Sequence, residues 1–308
     1  MMIAASNAAA PSAAETIATF TRNPSNAVLR SIRVGGEIGA AALGTQVVHF
    51  IPRSEAPPDQ IGLIDEIIRN KPDAIVVAPF DVKAMVASVD RLNAAGIAVV
   101  NVNERLNGGT VVSYVGTDDY ELARVTARYL LNAIGGKGNV VILEGPENRS
   151  TSIPRVRGFK DALKEFAGVK LVDAKSANYA RASAVEVMKG FLRAHSQIDG
   201  VLAANDSMAI GAVDALKAAN RKAQVVGINA STEVIDLIKS GDVLGSGDVN
   251  GFAQGCLGVE IAVRSLHKQP VPPEVMLKPL VVDKSNYQPY ETPLEQRTCP
   301  RLESVAGK

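Results

Sequence analysis

The chain alternates short apolar runs with longer segments in which apolar residues recur every three or four positions. The short runs are typical of buried parallel strands, and the periodic segments predict amphipathic helices. The predicted strands are 16–20, 46–51, 74–78, 98–102, 139–144, 169–173, 200–204, 224–228 and 243–248. The predicted helices are 27–43, 59–70, 82–95, 120–134, 154–166, 181–194, 207–219, 231–239 and 251–266. This alternating order predicts an α/β fold with doubly wound parallel sheets and helices on both faces.

The strand–helix–strand pattern of 73–102 is loosely repeated at 199–229, so two similar lobes explain the chain better than one large sheet. We predict an N-terminal lobe of 16–117 plus 249–278. The C-terminal lobe would be 118–248 plus 279–308, with a C-terminal tail, and three hinge strands would join the lobes. Gly245 and Gly247 lie at one predicted crossing, where flexible backbone suits a hinge.

The composition of the chain argues against some classes of binding partner. The 308 residues carry a net charge of +1 and no block rich in lysine or arginine, which argues against a nucleic acid or an anionic membrane surface as the main partner. The sequence has no apolar run of about 18 residues, the length needed to span a bilayer. Residues 1–15 are rich in alanine and serine, and we interpret them as a signal remnant or a disordered start. This interpretation favours an exported protein.

The chain has two cysteines, Cys256 and Cys299, and neither has a histidine neighbour that would suggest a metal site. In an exported protein they could form a disulfide that pins the C-terminal tail. The alternative is a buried thiol at Cys256 and an exposed one at Cys299. The sequence leaves both open.

Polar side chains recur where the predicted strands end. Because the carboxyl ends of parallel strands share one edge of a sheet, two facing sheets would bring these groups to one cleft. The candidates are Asn26 in the loop before the first helix, then Asn103, Glu104, Asn205, Asn229 and Asp248. The alternative for each Asn or Asp is a helix cap. Directly ahead of the predicted helix start at Ser207, Asp206 is expected to be the cap, and Asn205 is expected to face outward.

Three further side chains are candidates. Arg155 lies in a first helical turn, where the helix dipole disfavours a cation, so acceptors are expected opposite it. The alternative is an ion pair with Glu144 or Glu147. Arg22 lies in the first loop and could reach a ligand or remain on the surface. Tyr179 precedes a helix and could lie against a sugar ring or simply pack at the helix entry.

Signatures of enzymes are missing. No G-x-G-x-x-G follows the first strand, and neither G-x-x-x-x-G-K-[ST] nor G-x-S-x-G occurs. The three histidines show no ligand spacing and are expected to be structural or exposed. We therefore predict no catalytic residues, no cofactor and no metal.

Several motifs taken together resemble a known family. They include Ala98-Val-Val-Asn-Val-Asn103, Arg155-Val-Arg-Gly-Phe159, Ala203-Ala-Asn-Asp-Ser-Met-Ala-Ile-Gly-Ala212 and Val225-Val-Gly-Ile-Asn-Ala-Ser231. In this order they resemble the periplasmic sugar-binding proteins of the ribose-binding type, the solute receptors of ABC importers. The resemblance covers roughly 16–284 and implies the type I periplasmic binding protein fold.

The resemblance also implies a function. Asn26, Asn103, Arg155, Asn205 and Asn229 would bind sugar hydroxyls, and Tyr179 would take the place of a family aromatic. Asp248 would lie near the last polar contact, with Asn250 as a rival. The implied ligand is a pentose, hexose or polyol, the partner is an ABC permease, the location is the periplasm, and the protein is expected to be a monomer.

This chain departs from the family pattern in ways that leave the ligand open. The family often has aspartate where Asn103 and Asn229 stand, and an arginine where Glu104 stands. Aromatic residues of the first loop are replaced by Val28 and Leu29, and no tryptophan occurs. The pocket is therefore expected to be more polar than usual.

Two other functions remain open on the sequence. The effector half of a sugar-responsive transcriptional regulator shares the two-lobe fold, but it would need a helix-turn-helix segment ahead of the first strand. A small-molecule enzyme on a doubly wound fold is the other alternative, since the fold alone does not decide function.

Overall fold

The structure is a computed structural model that describes residues 14–24, 26–53, 57–79 and 81–305. The predicted signal remnant at 1–15 therefore lies outside the described residues, apart from residues 14 and 15. The described chain forms two six-stranded, mostly parallel sheets flanked by helices. The predicted α/β fold class, with two doubly wound sheets, is confirmed. None of the helices within these ranges is both long and apolar enough to cross a bilayer.

The first sheet is parallel throughout, and its strand order is β11-β5-β4-β3-β1-β2, with strands numbered along the chain. Its strands are β1 (Thr16–Thr21), β2 (Gln46–Phe50), β3 (Ala74–Ala78), β4 (Ala98–Val102), β5 (Ser113–Thr117) and β11 (Glu274–Leu277). Its helices are α1 (Ala27–Leu43), α2 (Pro57–Asn70), α3 (Met85–Ala94) and α9 (Gly251–Leu266). All five residues of β3 are buried, as expected for an apolar strand that is covered on both faces. We call this unit the first lobe.

The second sheet has the order β12-β10-β9-β8-β6-β7, with β12 antiparallel to β10. Its strands are β6 (Lys137–Glu144), β7 (Gly168–Ser176), β8 (Gly200–Ala203), β9 (Gln224–Ile228), β10 (Gly245–Asp248) and β12 (Leu280–Val282). Its helices are α4 (Asp119–Ala133), α5 (Ser152–Leu163), α6 (Arg181–Ala194), α7 (Asp206–Ala218) and α8 (Thr232–Ser240). We call this unit the second lobe.

The chain passes between the lobes three times: from β5 to α4, from β10 to α9, and from β11 to β12. At the second passage, Gly245 and Gly247 lie in β10 with ordinary negative φ rather than in a loosened turn. A Cβ on Gly247 would lie 2.6 Å from Oγ1 of Thr126 in α4. Close packing of β10 against α4 therefore requires a glycine at this crossing, and its role in a hinge stays a prediction.

Close approach of α1 and α9 fixes the first lobe near the cleft. A Cβ on Gly35 would lie 2.1 Å from the carbonyl oxygen of Phe252, and one on Gly255 would lie 1.9 Å from that of Ile32. These glycines cost the helices conformational entropy. They allow the two backbones to touch, which explains why glycines lie inside the first helix without forming a nucleotide-binding loop.

The C-terminal segment departs from its predicted lobe. The prediction assigned all of 279–308 to the second lobe, and the short helix α10 (Gln288–Glu291) does contact α8 there. The following 3-10 turn, Leu294–Gln296, instead contacts α1, and the last helix, α11 (Leu302–Val305), contacts α9. Leu294 and Leu302 are buried against the first lobe. Burial of these apolar side chains stabilises the position of the segment on that lobe.

A disulfide secures this arrangement. Cys256 in α9 is bonded to Cys299, with 5.6 Å between the Cα atoms, so the structure contains the bonded form of the two cysteines and not the free thiols. We call the residues 283–305 the C-terminal tail. The tail begins on the second lobe and ends on the first.

Candidate ligand-binding cleft

A cleft of about 1400 Å³ lies between the two lobes, at the carboxyl ends of their strands. Its lining brings together eight of the nine residues predicted from the sequence to bind a ligand. They are Arg22, Asn26, Asn103, Arg155, Tyr179, Asn205, Asn229 and Asp248. The ninth, Glu104, lies behind this surface. A smaller cavity of about 740 Å³ lies elsewhere, between β2 and α2 at the outer edge of the first sheet.

Arg155 is the buried cation of the second lobe. Its Nε donates to Oδ1 of Asp119 at 2.6 Å, and its Nη1 donates to the carbonyl of Ala204 at 2.9 Å and to Oδ1 of Asn229 at 3.3 Å. The expectation of acceptors opposite this first-turn arginine is confirmed, but the suggested partners Glu144 and Glu147 are wrong. Asp119 lies at the start of α4, which packs against α5. Burial raises the pKa of Asp119, and the adjacent guanidinium opposes that rise.

The cap of α7 is Asn205 and not, as predicted from the sequence, Asp206. Asn205 caps α7, and its Oδ1 accepts from the backbone N–H of Met208 at 2.9 Å. The helix begins one residue earlier than predicted, which places Asp206 inside it. The Asp206 carboxylate accepts from the N–H of Ser231 at 2.7 Å and the hydroxyl of Ser246 at 2.6 Å. Asp206 thus joins α7 to the start of α8 and to β10, and burial raises its pKa to about 6.

Asn205 also faces the cleft. Its Nδ2 donates to the carbonyl of Tyr179 at 3.1 Å, and the residue is 8% exposed. The side-chain amide of Asn205 therefore joins the loop before α6 to the N-terminus of α7. Asn26 has the same double position in the first lobe, because it lines the cleft while its Oδ1 accepts from the N–H groups of Val28 and Leu29.

Asn103 and Asn229 adopt backbone conformations that most residues avoid. Their φ angles are 67° and 135°, and neither residue caps a helix. Asparagine tolerates positive φ better than most non-glycine residues. If these two asparagines do not bind a ligand, their structural role is to form the turn at a strand end. They do not have the helix-capping role that the sequence left open.

Arg22 and Glu104 form a buried ion pair in the first lobe. Nη1 of Arg22 lies 2.9 Å from Oε1 of Glu104 and donates to the carbonyl of Pro79 at 3.0 Å. The other carboxylate oxygen accepts from the hydroxyl of Ser150, which belongs to the second lobe. Arg22 is 8% exposed, so the surface-arginine alternative is wrong.

Glu104 is only 3% exposed and does not line the cleft, so its predicted contact with the ligand is corrected. Its Oε1 forms an ion pair with Arg22 but accepts no hydrogen bond within the described residues, and its Oε2 accepts from Ser150. Glu104 instead orients Arg22 and connects the two lobes.

Tyr179 enters the cleft from the loop before α6, with φ at 59°. Its hydroxyl lies 3.1 Å from Oγ1 of Thr151, and its ring centre is 6.0 Å from the Arg155 guanidinium carbon. A Cβ on Gly145 would lie 2.5 Å from this ring, so a glycine is needed to make room for it. Both predicted uses of Tyr179 are compatible with this position, since the ring packs and also lines the cleft.

Asp248 ends β10 and is 7% exposed. Its Oδ1 accepts from the N–H of Asn250 at 2.7 Å, and its Oδ2 accepts from the hydroxyl of Tyr290 in the C-terminal tail at 2.5 Å. Burial raises its pKa. The rival residue, Asn250, also lines the cleft and has φ at 57°.

Sequence reasoning missed Asp119, Tyr290 and Arg297. The Asp118-Asp119 pair at a helix start was a visible signal, since one carboxylate there caps and the other is available to an arginine. The two tail residues carried no signal, because nothing in the local pattern showed that the tail returns to the cleft.

The cleft offers amides, guanidinium groups and hydroxyls from both lobes, a donor and acceptor set that suits a polyhydroxylated ligand. Within the described part of the chain, no cluster of three His, Cys, Asp or Glu residues could hold a metal ion. The histidines lie outside this cleft. Each is near a surface carboxylate, with His49 by Glu37 and His195 by Asp173.

A family model described as "Periplasmic binding protein domain" matches residues 17–270. The D-ribose/D-allose-binding protein of Pseudomonas aeruginosa is 34% identical over 218 residues, which is 68% of this chain and 68% of that protein. The D-apiose import binding protein of Paraburkholderia graminis is 33% identical over 233 residues, 75% of this chain and 74% of that protein. The structure of an ABC transporter periplasmic solute binding protein from Actinobacillus succinogenes, with bound D-allose, has a TM-score of 0.84 and 31% identity. The superposition covers 88% of this chain and 98% of the Actinobacillus succinogenes chain.

Proposed function

The chain belongs to the periplasmic binding protein family, and we propose that it is the solute receptor of an ABC importer that binds one small carbohydrate or polyol in its interlobe cleft. The family consists of binding proteins without catalytic activity, in agreement with the prediction that the chain is not an enzyme. The observation that carries the proposal is the division of hydrogen-bonding groups between two lobes around one cavity.

The division of these groups explains how ligand binding would close the protein. Asn26 and Asn103 belong to the first lobe, whereas Arg155 and Asn229 belong to the second. A ligand that bonds to both sets has its full affinity only when the lobes are together, so it shifts the population towards the closed state. The permease would then recognise the closed receptor.

The lining supports a small and neutral ligand. Few aromatic side chains line the described cleft, and the chain contains no tryptophan, so ring stacking contributes less than hydrogen bonding. Pentoses, hexoses and polyols fit this chemistry. The relatives whose names include D-ribose, D-allose and D-apiose support the same class.

The remaining assignments are proposals that family membership supports. Delivery to a membrane permease requires the receptor to work outside the cytoplasmic membrane, so we propose the periplasm as its location and the ABC permease as its partner. A net charge of +1 supports the absence of a nucleic-acid partner. We propose that the receptor acts as a monomer, since each copy contains both halves of the cleft.

A ligand screen tests the proposal. Thermal unfolding is measured with D-ribose, D-allose, D-apiose and xylitol, because a ligand at 100 times its Kd stabilises the folded state by about 2.7 kcal/mol. Asn103→Gly removes a cleft amide and keeps a backbone that accepts φ of 67°. We expect this variant to lose most of the ligand-induced stabilisation and to keep the melting temperature of the ligand-free protein.

The matched control is Asn220→Gly, which makes the same change at an exposed position with φ of 49° outside the cleft. It should respond to the ligand like the wild type. If no member of the screen stabilises the wild type, the proposed ligand class is wrong. If Asn103→Gly binds as well as the control, Asn103 does not contact the ligand.

A further inference from the structure

The C-terminal tail connects the two lobes a fourth time, beyond the three chain passages. Near its start, Lys239 of α8 pairs with Glu291 at 2.5 Å. A few residues later, Arg30 of α1 pairs with Glu295 at 2.6 Å. The tail therefore leaves the second lobe and reaches the first within four residues, close to the cleft.

The far end of the tail is fixed to α9. Cys299 is bonded to Cys256, and the backbone N–H of Leu302 donates to Oε2 of Glu260 at 3.0 Å. Leu302 is 3% exposed. The position of the tail is thus set by covalent, polar and apolar contacts, not by surface ion pairs alone.

Tyr290, next to the first anchor, and Arg297, shortly before the second, line the same cavity as Arg155 and Asn229. The hydroxyl of Tyr290 donates to Oδ2 of Asp248 at 2.5 Å. Arg297 donates from Nη2 to the carbonyl of Tyr290 at 2.8 Å, and its guanidinium carbon lies 5.5 Å from the centre of the Tyr290 ring. Arg297 therefore holds Tyr290, and Tyr290 holds Asp248.

We propose that the C-terminal tail is part of the ligand site, in which Tyr290 is a positioning residue that orients the Asp248 carboxylate towards the ligand. The inference rests on the proposed function and extends it to residues beyond the family match at 17–270. One wall of the cleft, and with it the choice among sugars of different size and stereochemistry, is then set by the tail.

The surroundings of Asp248 give the proposal a pH signature. The groups that act on its carboxylate are the Tyr290 hydroxyl, the Asn250 N–H and the charge of Arg297. Burial raises the pKa of Asp248, and the hydrogen bond from Tyr290 opposes that rise. Removing the hydroxyl raises the pKa further, so the carboxylate takes up a proton at a higher pH.

The test compares Tyr290→Phe with the wild type, and Tyr287→Phe is the control. Tyr287 lies in the same tail beside Lys239 and does not line the cleft. Calorimetric titrations with D-ribose, D-allose, D-apiose and xylitol are run from pH 5 to pH 8. Loss of one charge-assisted hydrogen bond to Asp248 is expected to weaken binding about threefold to tenfold at pH 7.5. As the pH falls, the affinity should also decline at a higher pH than in the wild type.

Hydrogen exchange of the ligand-free proteins gives a readout that needs no sugar. The Asn250 N–H donates to Asp248, so its exchange rate should rise in Tyr290→Phe. In Tyr287→Phe the rate should equal that of the wild type. A wild type that binds no sugar would contradict the proposed function, and the exchange result would then decide the tail inference alone. Equal affinities and pH profiles in Tyr290→Phe and the wild type, or equal exchange at Asn250, would overturn the inference.

Discussion

Replacement of Arg155 by methionine separates its structural role from its role in binding. The guanidinium is 6% exposed, and its Nε lies 2.6 Å from Oδ1 of Asp119, whose side chain is 18% exposed. Methionine keeps an unbranched stem of similar length and removes the charge. The variant therefore leaves the Asp119 carboxylate buried without its partner, and the ligand-free protein should lose stability.

The expected loss is about 3 kcal/mol at pH 8. Breaking a buried ion pair by removing one partner costs about 3–5 kcal/mol, and the partial exposure of Asp119 places this site at the lower end. At about 2–4 °C per kcal/mol for a protein approaching this size, the melting temperature should fall by roughly 6–12 °C.

The loss should depend on pH with a definite sign. Burial raises the pKa of Asp119, and Arg155 opposes this rise, so without the guanidinium the folded-state pKa moves further up. A carboxyl group whose pKa is raised on folding holds its proton more tightly in the folded state. The destabilisation is then present above the folded-state pKa and is relieved as the pH falls towards the unfolded value. The variant should therefore lie closer to the wild type at pH 5 than at pH 8.

Urea denaturation at both pH values measures these differences. The double variant Arg155→Met/Asp119→Asn should be more stable at pH 8 than Arg155→Met alone, since no buried charge is left unpaired. Arg157→Met is the control, because Arg157 lies in the same helix, contacts the Tyr120 ring and forms no ion pair within the described part of the chain. If Arg155→Met and Arg157→Met lose the same stability at pH 8, the reasoning about the buried pair is refuted.

Two further predictions concern the frame around the cleft. Asn205→Ala should cost about 1 kcal/mol in urea denaturation because α7 loses its cap, whereas Asn205→Asp should keep most of that stability; equal losses in both variants would contradict the capping role. Gly255→Ala should cost about 2–3 kcal/mol because its Cβ would lie 1.9 Å from the Ile32 carbonyl oxygen. Gly190→Ala, with no atom within 4 Å of the added Cβ, should instead stabilise the protein slightly, and a stable Gly255→Ala would show that α1 and α9 can move apart.

The elements of the fold were readable where burial alone decides the pattern. The strands at 74–78, 98–102 and 224–228 were predicted with the bounds that the structure has, because both faces of these strands are covered and nearly every residue is apolar. The strand Ser113–Thr117 was missed. Its Ser113 is fully buried between neighbouring strands, and a polar residue in that position contradicts the apolar pattern.

Convergence of the site was also predictable, because the carboxyl ends of parallel strands meet at one edge. The detailed roles were not. A helix start that is wrong by one residue was enough to assign the cap of α7 to Asp206 instead of Asn205. The partner of Arg155 lies 36 residues away at the start of another helix, and only the packing of α4 on α5 brings the two together.

The tail shows a second limit of sequence reasoning. Its contacts with the cleft depend on a disulfide to α9 and on two buried leucines, none of which forms a local pattern. The cysteines left the pairing open, and even the bonded alternative did not indicate that Tyr290 would reach Asp248. Contacts between residues so far apart in the sequence are visible only in the folded structure, where both ends of the C-terminal tail have their positions.

The distribution of charge explains the unusual amides of this cleft. Two of the arginines that line the cleft are paired with carboxylates that do not line it: Arg22 with Glu104, and Arg155 with Asp119. The family resemblance implies aspartate at the positions of Asn103 and Asn229, and the Asn229 amide oxygen here accepts from Arg155. In this chain the charge is supplied from behind the surface, so neutral amides are sufficient there and also accept the positive φ of these strand ends.

The pairing of Arg22 with Glu104 also accounts for the residue at position 104. The resemblance implies an arginine there, whereas here Glu104 lies beside Arg22, which comes from the loop after β1. A guanidinium therefore still lines the first lobe, but it enters from β1 rather than from β4, and its charge is already compensated. Because Arg22 and Arg155 are already paired, these two guanidinium groups gain less from a ligand carboxylate or phosphate than unpaired ones would.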